Sequence, residues 1–142
     1  MVAVAGAVVL LVSLPFDTTT PVGDATYALV QGGGAQGTHV GDVDPRDVFL
    51  AHIAATRTIK KDTALTAVVW PENVINITGN GAFTNSRELT EIAVEARRLG
   101  VPFVVGITED AGNNSFTNAQ VVVQPDGSVT DRYDKKRRVP FG

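Results

Sequence analysis

The sequence predicts an α/β domain: a mixed sheet with flanking helices. Three observations carry this. Two amphipathic helical stretches with clear cap residues alternate with short apolar runs of strand type. One of those runs, Phe103–Thr108, is apolar throughout, as a strand buried on both faces of a parallel sheet requires. Toward the end, two alternating runs flank Pro125-Asp126-Gly127-Ser128, a turn sequence, and read as an antiparallel hairpin.

At 142 residues the chain is long enough for one domain with a core. A net charge of −3 argues against a nucleic-acid binder, which carries a basic surplus. With no cysteine, these residues contain no disulfide, no thiolate metal site and no cysteine nucleophile.

Residues 1–16 open on MVAVAGAVVLLVSL, which is apolar except for Ser13. As a helix, 14 residues reach about 21 Å, short of the roughly 30 Å hydrocarbon core. No Lys or Arg stands before Arg46, so the basic start of a signal peptide is missing. The segment is expected to be the remnant of a transmembrane helix; the alternative is a buried element of a soluble domain. Residues 17–25, with Asp17-Thr18-Thr19-Thr20-Pro21, form a polar linker, and the domain proper is expected over 26–142.

Thr26–Gln31 is the first predicted strand. The glycines that follow fit G-x-G-x-x-G from Gly32 to Gly37, the dinucleotide fingerprint. No helix opens directly from them, so a phosphate would meet no helix N-terminus, and a plain loop is the better reading. The first helix is predicted over Pro45–Lys61, with Asp44 as N-cap, Pro45 at the first helical position and an apolar stripe of Val48, Ala51, Ile53, Ala55 and Ile59. His52 and His39 have no neighbours at ligand spacing and read as packing or surface residues.

Leu65–Trp70 is the second strand, parallel to the first through the helical crossover. Pro71 ends it, which leaves Glu72 just past its carboxyl end, where open α/β sheets bind ligands. Asn73–Asn85 reads as loop. Ser86–Leu99 is the second helix, capped by Ser86 and stopped by Gly100, with Leu89, Ile92, Ala93, Ala96 and Leu99 facing inward. After the strand Phe103–Thr108, Glu109–Asn114 reads as a polar turn. The hairpin pairs Phe116–Gln124 with Val129–Tyr133, and Lys135 stands at the end of the returning strand.

Singly, Glu72 reads as a surface acid and Lys135 as part of a solvated basic run. Their joint occurrence, in order and with a hairpin between, says more. Trp70-Pro71-Glu72, Phe116-Thr117-Asn118-Ala119 through Asp126-Gly127, and Tyr133-Asp134-Lys135 together resemble the nitrilase, or carbon–nitrogen hydrolase, superfamily. Val139-Pro140-Phe141-Gly142 is similar to its apolipoprotein N-acyltransferase branch, whose nitrilase-like domain sits between membrane spans. The resemblance implies a partial αββα sandwich, with Glu72 as general base and Lys135 as the cation that stabilises an oxyanion. It implies no cofactor and no metal. The superfamily's nucleophile is a cysteine, expected beyond Gly142.

Within the acyltransferase branch the implied partners are a phospholipid acyl donor, an apolipoprotein acceptor and the membrane. The implied location is the cell membrane, with the domain on its extracytoplasmic face. Two other readings stay open: a soluble carbon–nitrogen hydrolase acting on an amide or nitrile, and a non-catalytic half-domain. In the catalytic readings, a carboxylate can serve as the base of a thiol if burial raises its pKa.

Overall fold

The computed structural model describes residues 23–33, 44–79, 81–112 and 115–136. The apolar segment 1–16, most of the linker, most of the glycine loop with His39, and Val139–Gly142 lie outside the described residues. Among the described residues, no helix is long and apolar enough to cross a membrane.

Six strands form one mixed sheet: β1 (Tyr27–Leu29), β2 (Ala67–Val69), β3 (Ile75–Ile77), β4 (Phe103–Gly112), β5 (Ser115–Val123) and β6 (Val129–Asp134). Their order is β1-β2-β4-β5-β6, with β3 also paired to β4. β1, β2, β3 and β4 pair in parallel, whereas β4–β5 and β5–β6 are antiparallel. The parallel crossovers and the hairpin therefore form as their sequence patterns predict.

Period-two alternation decides the faces. Phe103, Val105 and Ile107 of β4 join Ala119, Val121 and Val123 of β5 in one core cluster with Phe49, Ile53, Ile92, Ala96 and Leu99 of the two helices. The alternate positions Val104, Thr108, Asn118, Gln120 and Val122 are only partly buried.

The helices are α1 (Pro45–Arg57) and α2 (Arg87–Leu99). Each begins at the predicted cap: Asp44 Oδ1 accepts from the Arg46 N–H at 2.8 Å, and Ser86 Oγ from the Leu89 N–H at 3.0 Å. Gly100 ends α2 with φ 72°, a left-handed conformation that costs glycine little.

Three local expectations are corrected. α1 stops at Arg57 rather than Lys61, and its buried stripe is Phe49, His52, Ile53 and Thr56. The stripe is rotated because the Phe49 and His52 rings pack on Trp70, at centroid distances of 5.7 and 5.5 Å. The predicted loop 73–85 contains β3 and a short 3-10 turn, Phe83–Asn85, because Ile75 and Ile77 bury against β4. The predicted turn 109–114 is largely strand: β4 runs on to Gly112, and Glu109 and Asp110 pair with Thr117 and Phe116.

Ion pairs tie the helices together. Glu95 of α2 is buried and accepts from Arg57 Nε at 2.8 Å and Arg98 Nε at 2.6 Å. The remaining Arg98 donors reach the Thr56 and Ile59 carbonyls, both at 3.0 Å, and so satisfy the open C-terminal end of α1. At the other end, Arg46 of α1 pairs with Glu88 and Glu91 of α2.

Burial alone would push the Glu95 pKa up, but the hydrogen bonds from Arg57 and Arg98 outweigh it and hold it below the usual carboxylate value. A lowered folded-state pKa gives stability that is full above the unfolded pKa and lost as pH falls through the folded one. Glu95→Gln is therefore expected to cost about 1–3 kcal/mol at pH 7. It should also flatten the acid limb of stability against pH. Urea unfolding of both proteins across pH 3–7 measures both effects.

Candidate active site

The site begins with an interruption in the sheet. β2 pairs with Phe103–Val104 of β4, and β3 resumes the same edge at Ile107. Between them, two residues of β4 (105 and 106) face five on the other side (70 to 74), so the chain must leave the sheet and return. Trp70 and Val74 anchor the two ends in the core. Trp70 donates its backbone N–H to the Val104 carbonyl at 2.9 Å and its indole N–H to Thr56 Oγ1 at 3.1 Å. Glu72 and Asn73, at the middle of the excursion, are exposed.

Gly106 makes room for it. A Cβ at this position would lie 2.4 Å from the Pro71 carbonyl oxygen and 2.7 Å from Glu72 Cα, both backbone atoms. Asn73 adopts φ 61°, a conformation asparagine tolerates better than most residues. Its side-chain oxygen accepts from Thr108 Oγ1 of β4 at 3.0 Å and from Asn118 Nδ2 of β5 at 2.8 Å, which fixes the excursion to two strands.

Lys135 arrives from the far side of the hairpin. It is the first residue after β6, and its backbone N–H donates to the Asn118 carbonyl at 2.8 Å. Its Nζ meets Glu72 Oε1 at 2.6 Å, so the two residues singled out from sequence, 63 positions apart, are in direct contact. Lys136, the neighbouring alternative, is exposed. Asn118 Nδ2 also donates to Glu72 Oε1, at 2.7 Å. Glu72 Oε2 makes no hydrogen bond among the described residues. His52 stays out of this group: it lies on the buried face of α1 with Nδ1 2.8 Å from the Val48 carbonyl oxygen.

The hydrogen bond from Lys135, followed by that from Asn118, lowers the Glu72 pKa below the usual carboxylate value. The rise that burial would give is absent. The side chain is 47% exposed, so desolvation is too weak to overcome two donors on one oxygen. Glu72 is therefore ionised at neutral pH and able to take a proton. Among the described residues the Lys135 ammonium uses one of its three donors, on Glu72, which leaves two for a second acceptor. Chemically, a carboxylate of this kind can accept a proton, and a cation beside it can meet developing negative charge.

Asn118, Asn73 and Gly106 were not singled out by sequence reasoning. Gly106 carried a signal, since a glycine inside an apolar strand often marks a close backbone approach, and Asn118 stands in the 116–119 stretch that is part of the superfamily resemblance.

The same architecture occurs in solved structures. It is similar to a carbon-nitrogen hydrolase from Helicobacter pylori G27, at 18% identity and a TM-score of 0.57, over 82% of this chain and 41% of that one. It is also similar to Nit3 of Saccharomyces cerevisiae, a member of branch 10 of the nitrilase superfamily, at 17% identity and a TM-score of 0.54, over 78% of this chain and 44% of that one. An amidase from Nesterenkonia sp. matches at 16% identity and a TM-score of 0.53, over 82% of this chain and 44% of that one. The solved structures it resembles are members of the carbon–nitrogen hydrolase/nitrilase superfamily. At these identities the likeness is one of fold, and the mixed sheet with flanking helices is a partial nitrilase-like fold. The chain spans less than half the length of each of the three. No protein-family model matches it.

Two outcomes follow from the geometry. In a carbon-13 NMR titration, the Glu72 carboxyl should titrate below the usual carboxylate value, and Lys135→Met should raise it. The pairing is then intact at neutral pH and lost as pH falls through the lowered pKa. Gly106→Ala should force the Pro71–Asn73 backbone off the sheet, costing about 1–3 kcal/mol in urea unfolding. In that variant the Glu72 titration should return to the usual value.

Proposed function

We propose that Glu72 and Lys135 are the general base and the oxyanion-stabilising cation of a covalent acyl-transfer site, working with a cysteine thiol that is not among these 142 residues. The observation that carries this is the 2.6 Å contact between side chains from distant segments, at the gap between the β2 and β3 pairings on β4.

In this reading the thiol proton passes to Glu72 Oε2 as the sulfur bonds to the substrate carbonyl carbon. The negative charge that forms on the carbonyl oxygen is met by the Lys135 ammonium. Collapse of the intermediate breaks the bond to the leaving group, which takes the proton back from Glu72 and leaves a thioester. A second nucleophile then attacks the thioester carbonyl and gives its proton to Glu72; collapse breaks the carbon–sulfur bond, the departing thiolate takes that proton back, and the acyl product leaves with the thiol restored.

The finer reading is an apolipoprotein N-acyltransferase. A phospholipid supplies the acyl chain, and the N-terminal amine of a lipid-modified apolipoprotein receives it at the extracytoplasmic face of the cell membrane. Val139-Pro140-Phe141-Gly142 and the apolar residues 1–14 favour it. The second reading, a carbon–nitrogen hydrolase with water as acceptor, is favoured by likeness in fold to a carbon-nitrogen hydrolase and an amidase.

Both readings are tested on the full reading frame that encodes this chain. Incubation with phospholipid should give an acyl adduct by intact mass spectrometry, cleaved by hydroxylamine as a thioester is. Glu72→Gln should slow its formation roughly 100-fold or more, and Lys135→Met by about 100- to 1,000-fold. Ammonia release from small amides without a phospholipid adduct selects the hydrolase. Wild-type rates in both variants would overturn the roles given to Glu72 and Lys135, and neither adduct nor ammonia from the wild type would leave only a non-catalytic module.

A further inference from the structure

We propose that Asn118 is a positioning residue for Glu72: it holds one carboxylate oxygen so that the other receives the proton. The inference rests on the general-base reading of Glu72 and extends the working site to the middle strand of the antiparallel half.

The hydrogen-bond pattern leaves Asn118 one orientation. Its side-chain nitrogen lies 2.7 Å from Glu72 Oε1 and 2.8 Å from Asn73 Oδ1. Turning the amide over would set its oxygen against an ionised carboxylate, so the –NH2 group must face Glu72. Both amide protons are then used, one on each acceptor. Asn73 is held in turn by Thr108 Oγ1 at 3.0 Å. Thr108 therefore donates to Asn73, Asn118 donates to Asn73 and Glu72, and Lys135 donates to Glu72. These contacts join β4, β5 and the end of β6 to the excursion.

The two donors on Glu72 converge on the same oxygen. A carboxylate on a flexible stem otherwise exchanges its oxygens by rotation about its last bond. With Oε1 held by Asn118 and Lys135, rotation would break both bonds, and Oε2 is the oxygen presented to an incoming proton. The division of labour matters during reaction. Lys135 must turn donors toward a developing oxyanion, whereas Asn118 is anchored through Asn73 and keeps Oε1 in place while that happens.

The test compares the pH profile of the wild-type reaction, acyl-adduct formation or amide hydrolysis, with those of Asn118→Leu and Asn118→Asp, beside Glu72→Gln. Loss of orientation should lower the plateau rate roughly 10- to 100-fold in both Asn118 variants. Loss of a hydrogen bond to the ionised form should also move the acidic limb to higher pH, further in Asn118→Asp, where a second carboxylate faces the first. A residue that served only folding would not shift the limb. Wild-type plateau and limb in Asn118→Asp or Asn118→Leu, with Glu72→Gln inactive, overturn the positioning role and leave the general base standing. Full activity in Glu72→Gln, or no activity in the wild type, overturns both. If Asn118→Leu fails to fold, the near-isosteric Asn118→Asp decides alone.

Discussion

The arrangement depends on a mismatch in the sheet: five residues between β2 and β3 face two on β4. An excursion of that size would ordinarily splay the strands. Here it is pinned at both ends by buried Trp70 and Val74, and it lies against a strand that has no side chain at Gly106. The sheet can therefore stay paired on either side of the gap while the backbone of Pro71–Asn73 rests on it. Glu72 owes its position to that gap.

The two kinds of ion pair in the molecule differ in what they contribute. Glu95, with a side chain 3% exposed, is held by two arginines, one of which also closes the end of α1; this cluster fixes one helix to the other. Glu72 and Lys135 are 47% and 34% exposed, and a pair so open to water adds little to stability, typically about 0–1 kcal/mol. Yet Gly106, Asn73, Thr108 and Asn118 are all arranged around it. So much local organisation for so small an energetic return favours a chemical reading of the pair over a structural one. Two donors on one oxygen make Glu72 a weaker base than a buried carboxylate would be.

Much of this was legible in the sequence where local chemistry decides structure. Asp44-Pro45, Ser86 and Gly100 mark helix ends because caps act over only a few residues. Pro125-Asp126-Gly127-Ser128 marks the hairpin for the same reason. Glu72 and Lys135 could be named because strand ends are predictable and because the residues around them resemble a known superfamily. What stayed hidden depends on contacts distant in sequence. Ile75 and Ile77 form a strand only because β4 is beside them, within a stretch whose Asn and Gly content reads as loop. Glu109 and Asp110 extend β4 because β5 pairs with them, despite their polarity. Phe49 turns α1 by packing on Trp70. Asn118 looks like any polar residue in an alternating strand until the excursion is folded over it.

The most direct measurement is a zero-length cross-link. A carbodiimide joins a carboxylate to an amine only where the two touch, and both Glu72 and Lys135 are open enough to react. Treatment of the 142-residue chain at neutral pH, followed by peptide mass spectrometry, should recover an amide between Glu72 and Lys135. Coupling of Glu72 to a different lysine, with none to Lys135, would contradict the meeting of acid and amine on which the account rests.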